Sequence, residues 1–182
     1  AEGLVYTEFS DKHHLLPFAD VAKLMPHFTH FLMGVDFGTT NPTAILLIGV
    51  TEAGEYVVCR EVYMRNATLS KVCNEIRNLV IEFSGRLRKI FIDPAAKVLI
   101  QELKDQGMVN IYGADNSVMN GINYVKDLFS SDRLFISDTC TNLLDELLTY
   151  AFSDKEGVNV IKTNDHACDA LRYALYSVKG VI

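Results

Sequence analysis

The sequence contains few cysteines, no long apolar run and no excess of positive charge. Its four cysteines are far apart and form no C-x-x-C pair, which argues against a zinc knuckle or a disulfide framework and favours a reducing cytoplasm. The longest apolar run, residues 44–50, falls far short of the ~18 residues that span a bilayer. The first residues lack a basic stretch followed by an apolar one. We therefore expect neither a membrane segment nor a secretory signal.

The charge balance excludes one class of nucleic-acid binder. The 182 residues include 17 Lys and Arg against 23 Asp and Glu, for a net charge of −6. A protein that binds nucleic acid by electrostatics alone needs a positive excess to neutralise phosphates. A nucleic-acid enzyme that recruits divalent metal through carboxylates remains compatible with this composition. Because 49% of the residues are hydrophobic, the chain can bury the core of one ordinary domain.

Residues 1–30 differ in composition from residues 31–182. The first thirty residues hold four of the five histidines and show no clear periodicity. We interpret them as a connecting arm or linker whose histidines are solvated rather than bound to metal. The ordered domain is expected to begin at residue 31.

The pattern after residue 30 predicts an α/β domain. Three β-rich segments separated by turns predict an antiparallel meander, and apolar residues at steps of three and four predict a long helix after it. The predicted strands are 31–36, 43–50, 55–64, 89–92 and 108–112, and the predicted helices are 69–83, 94–106, 118–129, 138–152 and 164–179. This order favours a mixed five-stranded sheet, with three antiparallel strands and then parallel ones, flanked by helices.

Two aspartates end predicted strands. Asp36 ends the first strand and Asp93 the fourth. If the two strands are adjacent and parallel, these carboxylates lie about 5 Å apart and repel each other unless a cation such as Mg²⁺ or Mn²⁺ intervenes. The alternative for Asp36 is a turn cap before Gly38. The alternative for Asp93 is a helix N-cap before Pro94.

The last predicted helix offers further candidates. Helical spacing places Asp165, His166 and Asp169 on one side, so that a third acid for a two-metal phosphodiester site is available. A solvated polar face with Asp169 paired to Arg172 would have the same pattern. Asp165 is also favoured in a first helical turn by the helix dipole alone.

These motifs together resemble the nuclease domain of the large terminase subunits of tailed bacteriophages. The resemblance is carried by G-V-D-F-G at 34–38, F-I-D-P at 91–94 and N-D-H-A-C-D-A-L-R-Y at 164–173. Its most specific part is D-H-x-x-D-A-x-R-Y. The opening E-G-L-V-Y at 2–6, with Phe9, resembles the stretch that leads into that domain, so the likeness covers nearly the whole chain.

The resemblance implies an RNase H-like fold and metal-dependent cutting of concatemeric double-stranded DNA during viral packaging. It implies two Mg²⁺ or Mn²⁺ ions, with Asp36, Asp93 and Asp169 as the metal-binding acids. His166 matches a histidine beside the site and is, with Asp165, a further candidate ligand. The implied partners are double-stranded DNA, an ATPase domain of the same full-length chain, a small terminase subunit and a portal protein, in the host cytoplasm during phage assembly.

The packaging ATPase is not expected in this chain. No G-x-x-x-x-G-K-[ST] motif occurs in the sequence, so nucleotide-driven translocation needs another domain. We therefore expect residues 1–30 to be the arm that follows an absent ATPase domain, and residues 31–182 to be the nuclease domain.

Two other functions fit parts of the sequence. V-D-F-G-T-T at 35–40 also resembles the first phosphate loop of actin-like ATPases and sugar kinases, which share the strand order but need two lobes and a second Gly-rich loop. Another RNase H-like nuclease, such as a resolvase or a transposase, is the other alternative. A degenerate binding module is disfavoured because all three acids are present.

Six basic residues are candidates for contact with DNA. Most residues of this kind are ordinary solubilising charges, and the sequence does not rank the six. They are Arg60, Arg65, Arg86, Arg88, Lys89 and Lys97.

Overall fold

Helices cover both faces of one mixed β-sheet in the computed structural model, which describes residues 3–179. The strands within this range are β1 (Leu15–Leu16), β2 (His30–Asp36), β3 (Thr43–Val50), β4 (Tyr56–Met64), β5 (Leu87–Ile92), β6 (Ile111–Gly113) and β7 (Leu134–Ser137). The helices are α1 (Asp11–His14), α2 (Phe18–Leu24), α3 (Leu69–Glu82), α4 (Lys97–Asp105), α5 (Val118–Ser130), α6 (Thr141–Thr149) and α7 (His166–Lys179), with a 3₁₀ turn at Met25–His27.

The sheet has the order β1-β7-β4-β3-β2-β5-β6. Strand β3 is antiparallel to β2 and β4, and every other neighbouring pair is parallel. Six strands therefore run in the same direction, and their carboxyl ends share one edge of the sheet. Polar loops that follow these strands meet at that edge.

The mixed α/β sheet is confirmed, but the predicted count of five strands is wrong. Seven strands pair within residues 3–179. The two that sequence reasoning missed are the two-residue β1 and the four-residue β7. Strands this short show too little alternation to stand out from the segments around them. Predicted starts also shift: α4 begins at Lys97 rather than residue 94, and β6 at Ile111 rather than residue 108.

The described part of residues 1–30 belongs to the folded domain and is not a solvated arm. Strand β1 pairs with β7, and Val21 is fully buried. His14, expected in solvent, is also buried: its Nδ1 accepts the N–H of Ser10, and its Nε2 donates to the carbonyl of Phe129. Because the segment turns every few residues, its apolar positions follow no regular period. Glu2 lies outside the described residues.

Two helical layers enclose the sheet. Helices α5, α6 and α7 share one apolar core with one face of the sheet, and α3 and α4 share a second core with the opposite face. In the part of the chain that the structure describes, no helix has the length and apolar character needed to cross a membrane.

Helix α7 lies directly on strand β2. The closest approach is at Gly34, where an added Cβ would lie 2.1 Å from the carbonyl oxygen of Ala170. Asp169 and Arg172, on the side of α7 that could have been solvated, are 7% and 2% exposed. The solvated-face alternative is therefore wrong. The helix is enclosed by the sheet, α5 and α6, and the Asp169–Arg172 pair is internal.

Candidate metal centre

Asp36 and Asp93 stand side by side on adjacent strands. Strand β2 pairs with β5 in parallel, and Val35 lies opposite Ile92. The residue after each of these two is the aspartate: Asp36 ends β2, and Asp93 directly follows β5. This is the juxtaposition expected for two strands whose carboxyl ends meet at the same edge.

Helix α7 brings the other acids to the same edge. Asp36, Asp165, His166 and Asp169 line one cleft of about 210 Å³, together with Phe37, Gly38, Asn41 and Lys162. Nδ1 of His166 lies 3.2 Å from Oδ2 of Asp36 and 3.8 Å from Oδ1 of Asp165. The positions that the sequence singled out at 36 and at 165–169 are thus in contact.

Asp93 lines an adjoining cleft. This cleft, of about 330 Å³, also contains Thr39 and Lys97, and Phe37 lines both clefts. Oδ1 of Asp93 accepts the backbone N–H of Ala95 at 2.9 Å, which closes the turn after β5. Since α4 begins only at Lys97, Asp93 is not its N-cap.

Burial sets the electrostatics of the site. It raises the pKa of Asp169 to about 7, with the charge of Asp165 adding to the shift and Arg172 opposing it. Burial also raises the pKa of Asp36, against the hydrogen bond from His166. That hydrogen bond is the main cause of a raised pKa for His166. In this pocket the acids repel each other, and the nearby cations offset only part of that repulsion.

Each of the three candidate metal-binding acids contacts a side chain of α7. His166 contacts Asp36, and Nη2 of Arg172 donates to Oδ1 of Asp169 at 3.2 Å. The hydroxyl of Tyr173 donates to Oδ2 of Asp93 at 2.9 Å. Neither contact is predicted by the sequence pattern, in which Tyr173 has no role and Arg172 is only a surface partner of Asp169. The available signal was their spacing, three and four residues after Asp169, within D-H-x-x-D-A-x-R-Y.

Arg172 links the acids to the loop that precedes α5. Its Nη1 donates to the carbonyl oxygens of Asn116 and Ser117, at 2.9 and 2.8 Å. The side-chain amide of Asn116 lies 3.3 Å from Oδ1 of Asp93. A chain of polar contacts therefore runs from Asp169 through Arg172 and Asn116 to Asp93.

The donor set fits a hard divalent cation. Carboxylate oxygens are the ligands that Mg²⁺ and Mn²⁺ prefer, and an imidazole nitrogen is compatible with Mn²⁺. Within residues 3–179, no three His, Cys, Asp or Glu side chains converge closely enough to hold an ion as they stand. Asp36 and Asp169 contact their donors on α7 through one oxygen each, so each keeps a second carboxylate oxygen that could bind a cation.

The structure separates the basic residues that the sequence could not rank. Arg65 follows β4, lies over the ring of Tyr63, and stands at the same edge of the sheet as the acids. Lys97 and Lys162 line the two acidic clefts. The other candidates lie elsewhere: Arg60 pairs with Glu82, Arg86 donates to the carbonyls of Met25 and Phe28, Arg88 lines a cavity beside α3, and Lys89 lies over Tyr112.

The fold and the acidic edge define a class. A mixed sheet with a single antiparallel strand, acids at the ends of two adjacent parallel strands and a third acid on a helix across them is an RNase H-like domain. The family model described as "Terminase RNAseH like domain" matches residues 36–177, and the chain belongs to this family. The assignment removes the actin-like ATPase and the resolvase or transposase as alternatives.

Known proteins similar to this chain agree with the assignment. It is 26% identical over 187 residues to the terminase large subunit of Escherichia phage T5, covering 97% of this chain and 42% of the relative. It is 30% identical over 152 residues to the PBSX phage terminase large subunit of Bacillus subtilis strain 168, covering 80% of this chain and 34% of the relative. The chain therefore spans less than half the length of these relatives.

Solved structures share the fold. The large terminase of a thermophilic bacteriophage superimposes with a TM-score of 0.88 at 23% identity, covering 98% of this chain and 46% of that one. The P22 large terminase nuclease domain superimposes with a TM-score of 0.76 at 22% identity, covering 98% of this chain and 93% of that one. The nuclease domain of the SPP1 large terminase, solved with bound Mn, superimposes with a TM-score of 0.67 at 20% identity, covering 90% of this chain and 96% of that one.

Proposed function

We propose that this chain is a divalent-metal-dependent endodeoxyribonuclease that cuts concatemeric double-stranded DNA during phage DNA packaging. Asp36, Asp93 and Asp169 would hold two Mg²⁺ or Mn²⁺ ions, with His166 and Asp165 as further ligands at the rim. The observation that carries the proposal is the meeting of Asp36, Asp165, His166 and Asp169 in one cleft, with Asp93 on the adjacent strand.

The electrostatics support a cation in this cleft. Two of the acids have pKa values raised by burial, and Asp169 reaches about 7. A buried carboxylate with too little compensating charge favours protonation, or it binds a cation. The Mn bound in the SPP1 terminase nuclease, a protein of the same fold, is consistent with the second outcome here.

The residues around the acids have separate tasks in this proposal. A bound divalent ion supplies Lewis acidity and lowers the pKa of a water molecule that it holds. Arg172 and Tyr173 orient Asp169 and Asp93 from the protein side. Lys162, at the rim of the cleft, is placed to contact a DNA phosphate. His166 can hold a proton at Nδ1 when Asp36 is its partner, which keeps its ring directed into the cleft.

A phosphate-binding role for residues 35–40 finds no support in the contacts of this turn. The backbone N–H of Gly38 donates to Oγ1 of Thr43 at 3.0 Å, and that hydroxyl donates to the carbonyl of Gly38 at 3.1 Å. The Gly38 N–H, the donor that a phosphate loop would direct at a nucleotide, is therefore already used within the turn.

The proposal extends to the wider assembly. An ATPase domain of the same full-length chain would precede the nuclease domain, to which the described part of residues 1–30 belongs. A small terminase subunit and a portal protein would be the further partners. The setting would be the host cytoplasm during phage assembly.

Plasmid cleavage tests the proposal directly. The purified chain should nick and linearise supercoiled plasmid in Mn²⁺ or Mg²⁺, and excess EDTA should stop it. ATP should neither be hydrolysed nor change the rate. Cleavage that persists in chelator would exclude the metal mechanism, and ATP hydrolysis by a sample free of contaminants would contradict the proposal.

A further inference from the structure

Glu146 is a buried acid outside the proposed metal centre. It lies in the middle of α6 and is only 4% exposed. Its Oε1 accepts the backbone N–H of Cys168 at 2.9 Å, and its Oε2 accepts the hydroxyl of Tyr63 at 2.8 Å. Both oxygens thus have partners, and one of these partners is the backbone of α7.

Cys168 is the third residue of α7, where a backbone N–H has no partner within the helix. The first intrahelical bond runs from the N–H of Asp169 to the carbonyl of Asp165, at 2.7 Å. A carboxylate at this end of a helix also interacts favourably with the helix dipole. Burial raises the pKa of Glu146, and the N–H groups of Cys168 and Ala167 oppose that rise. Glu146 therefore caps α7 from a different helix.

The segment that leads into α7 gives its first turn little support. Residues 161–164, which lead into it, are exposed, and Asn164 has a left-handed φ of 50°. On the side of Glu146, the ring of Tyr63 lies 6.5 Å from the ring of His166. The contact at Cys168 lies between the two α7 residues that line the acidic cleft, His166 and Asp169.

We propose that Glu146 is a positioning residue of the acidic cleft, which fixes the first turn of α7 and so places His166 and Asp169 against Asp36. The effect of Glu146 on DNA cutting rests on the proposed function. The effect of Glu146 on the position of His166 does not, because it depends only on contacts within the protein.

Thr68 provides a control cap within the same chain. Its hydroxyl caps the start of α3, accepting the N–H of Lys71 at 3.1 Å. Helix α3 packs on the opposite face of the sheet from α7 and carries neither Glu146 nor a residue of the acidic cleft. Thr68 and Glu146 thus both cap a helix, but only the cap by Glu146 is on the helix that bears cleft residues.

The experiment compares Glu146→Ala with Thr68→Ala. Alanine at position 146 removes both acceptors, so the N–H of Cys168 and the hydroxyl of Tyr63 lose their partner. The first readout is the ring ¹H–¹⁵N signal of His166 in metal-free protein at fixed pH, assigned from a His166→Gln sample. The second readout is plasmid cleavage in Mn²⁺, with kcat and KM measured separately.

Both variants should lose thermal stability, but only Glu146→Ala should shift the His166 ring signal. Only that variant should lose kcat, by about 10–100-fold as for other groups that orient ligands, with KM little changed. Glu146→Gln should restore most of both, because its amide oxygen can accept from Cys168 while its NH₂ group donates to Tyr63. Tyr63→Phe removes the bond to Oε2 alone and keeps the charge of Glu146, so its smaller shift of the same kind reports position rather than charge. It also serves as the second variant if Glu146→Ala does not fold.

The proposal is overturned if Glu146→Ala leaves the His166 signal in place and matches Thr68→Ala in kcat. It is also overturned if both caps reduce kcat equally, since the effect would then be general loss of stability. If the wild-type chain cuts no DNA, the proposed function fails, and the His166 signal still decides the role of Glu146.

Discussion

Nδ1 of His166 lies 3.2 Å from Oδ2 of Asp36, so that the first residue of α7 contacts the last residue of β2. The hydrogen bond raises the pKa of His166 and opposes the rise that burial causes at Asp36. With the contacts of Arg172 and Tyr173 to Asp169 and Asp93, it makes α7 the element that engages all three acids. The position of α7 therefore affects the surroundings of all three acids.

Replacing Asp36 by asparagine should separate catalysis from folding. We expect Asp36→Asn to abolish cleavage in Mn²⁺, because the proposed ligand loses its charge at nearly constant volume. In EDTA its melting temperature should equal or exceed that of the wild type, since the change removes a desolvated charge that Asp165 and Asp93 repel. Plasmid cleavage and thermal unfolding measure the two effects.

The matched control for this substitution is Asp127→Asn. Asp127 lies exposed on α5, so the variant loses the same charge away from the cleft. It should retain both cleavage and metal-free stability. A fully active Asp36→Asn would show that Asp36 only caps a turn.

The positions of two acids at strand ends could be predicted from the sequence, but the surroundings of the acids could not. The strand-end positions of Asp36 and Asp93 could be predicted because β2 and β5 are long enough for their apolar runs to show. The environment of Asp169 could not be predicted, because a helix covered on all sides and a helix with a solvated face share the same local pattern. Only the tertiary contacts of α7 with the sheet, α5 and α6 decide between them.

The cap by Glu146 could not be predicted for a similar reason. Its partners, Tyr63 and Cys168, are far from it in sequence, and a glutamate on a nine-residue helix is ordinary in any sequence. The fold of residues 4–30 was missed because its buried residues follow no helical or strand period. Local periodicity predicts regular helices and strands. The cap by Glu146 and the fold of residues 4–30 depend on contacts between elements, which periodicity does not show.

The raised pKa of Asp169 predicts how stability changes with pH when metal is removed. Its pKa is about 7 in the folded protein and about 3.9 when unfolded, so folding favours the protonated form. This contribution is fully present below about pH 4 and is lost as pH rises through about 7. The free energy of unfolding should therefore fall between these values by up to about 4 kcal/mol from this group.

Urea unfolding in EDTA at several pH values measures this loss, with Asp169→Asn as the comparison. Asparagine keeps an oxygen for Arg172 but cannot titrate, so the variant should lose less stability as pH rises. His166 and Asp36 titrate in both proteins, and the difference between the curves isolates position 169. Parallel curves would show that Asp169 is already ionised well below neutral pH.

The position of the basic residues predicts which of them contact DNA. Arg65 and Lys97 are exposed beside the acids, whereas Arg88 is exposed near the start of β5, at the other end of that strand. Binding of a short DNA duplex in EDTA should weaken in Arg65→Ala and Lys97→Ala. The slope of log K against log salt should fall by about 0.9 for each lost phosphate contact. Arg88→Ala should leave both the affinity and the slope unchanged, and an equal effect in all three variants would contradict this DNA path.

The approach of α7 to β2 at Gly34 predicts a strong effect from a single methyl group. An alanine Cβ at this position would lie 2.1 Å from the carbonyl oxygen of Ala170 and 3.0 Å from the Cβ of Ala174. The oxygen belongs to the helix backbone, so no side-chain rotation relieves the overlap. Gly34→Ala must displace α7 from the sheet, and with it the residues that face Asp36.

Gly113, on β6, is the control for this change. An alanine Cβ there would lie 3.6 Å from the Cβ of Pro94, an ordinary contact, and Gly113→Ala should fold and cut like the wild type. Gly34→Ala should lose several kcal/mol of unfolding free energy, as overpacked cores do at the upper end of their range. It should also lose most of its cleavage at temperatures where it remains folded. Wild-type stability in Gly34→Ala would show that α7 can move away without cost, and that close packing on β2 does not set the position of the acids.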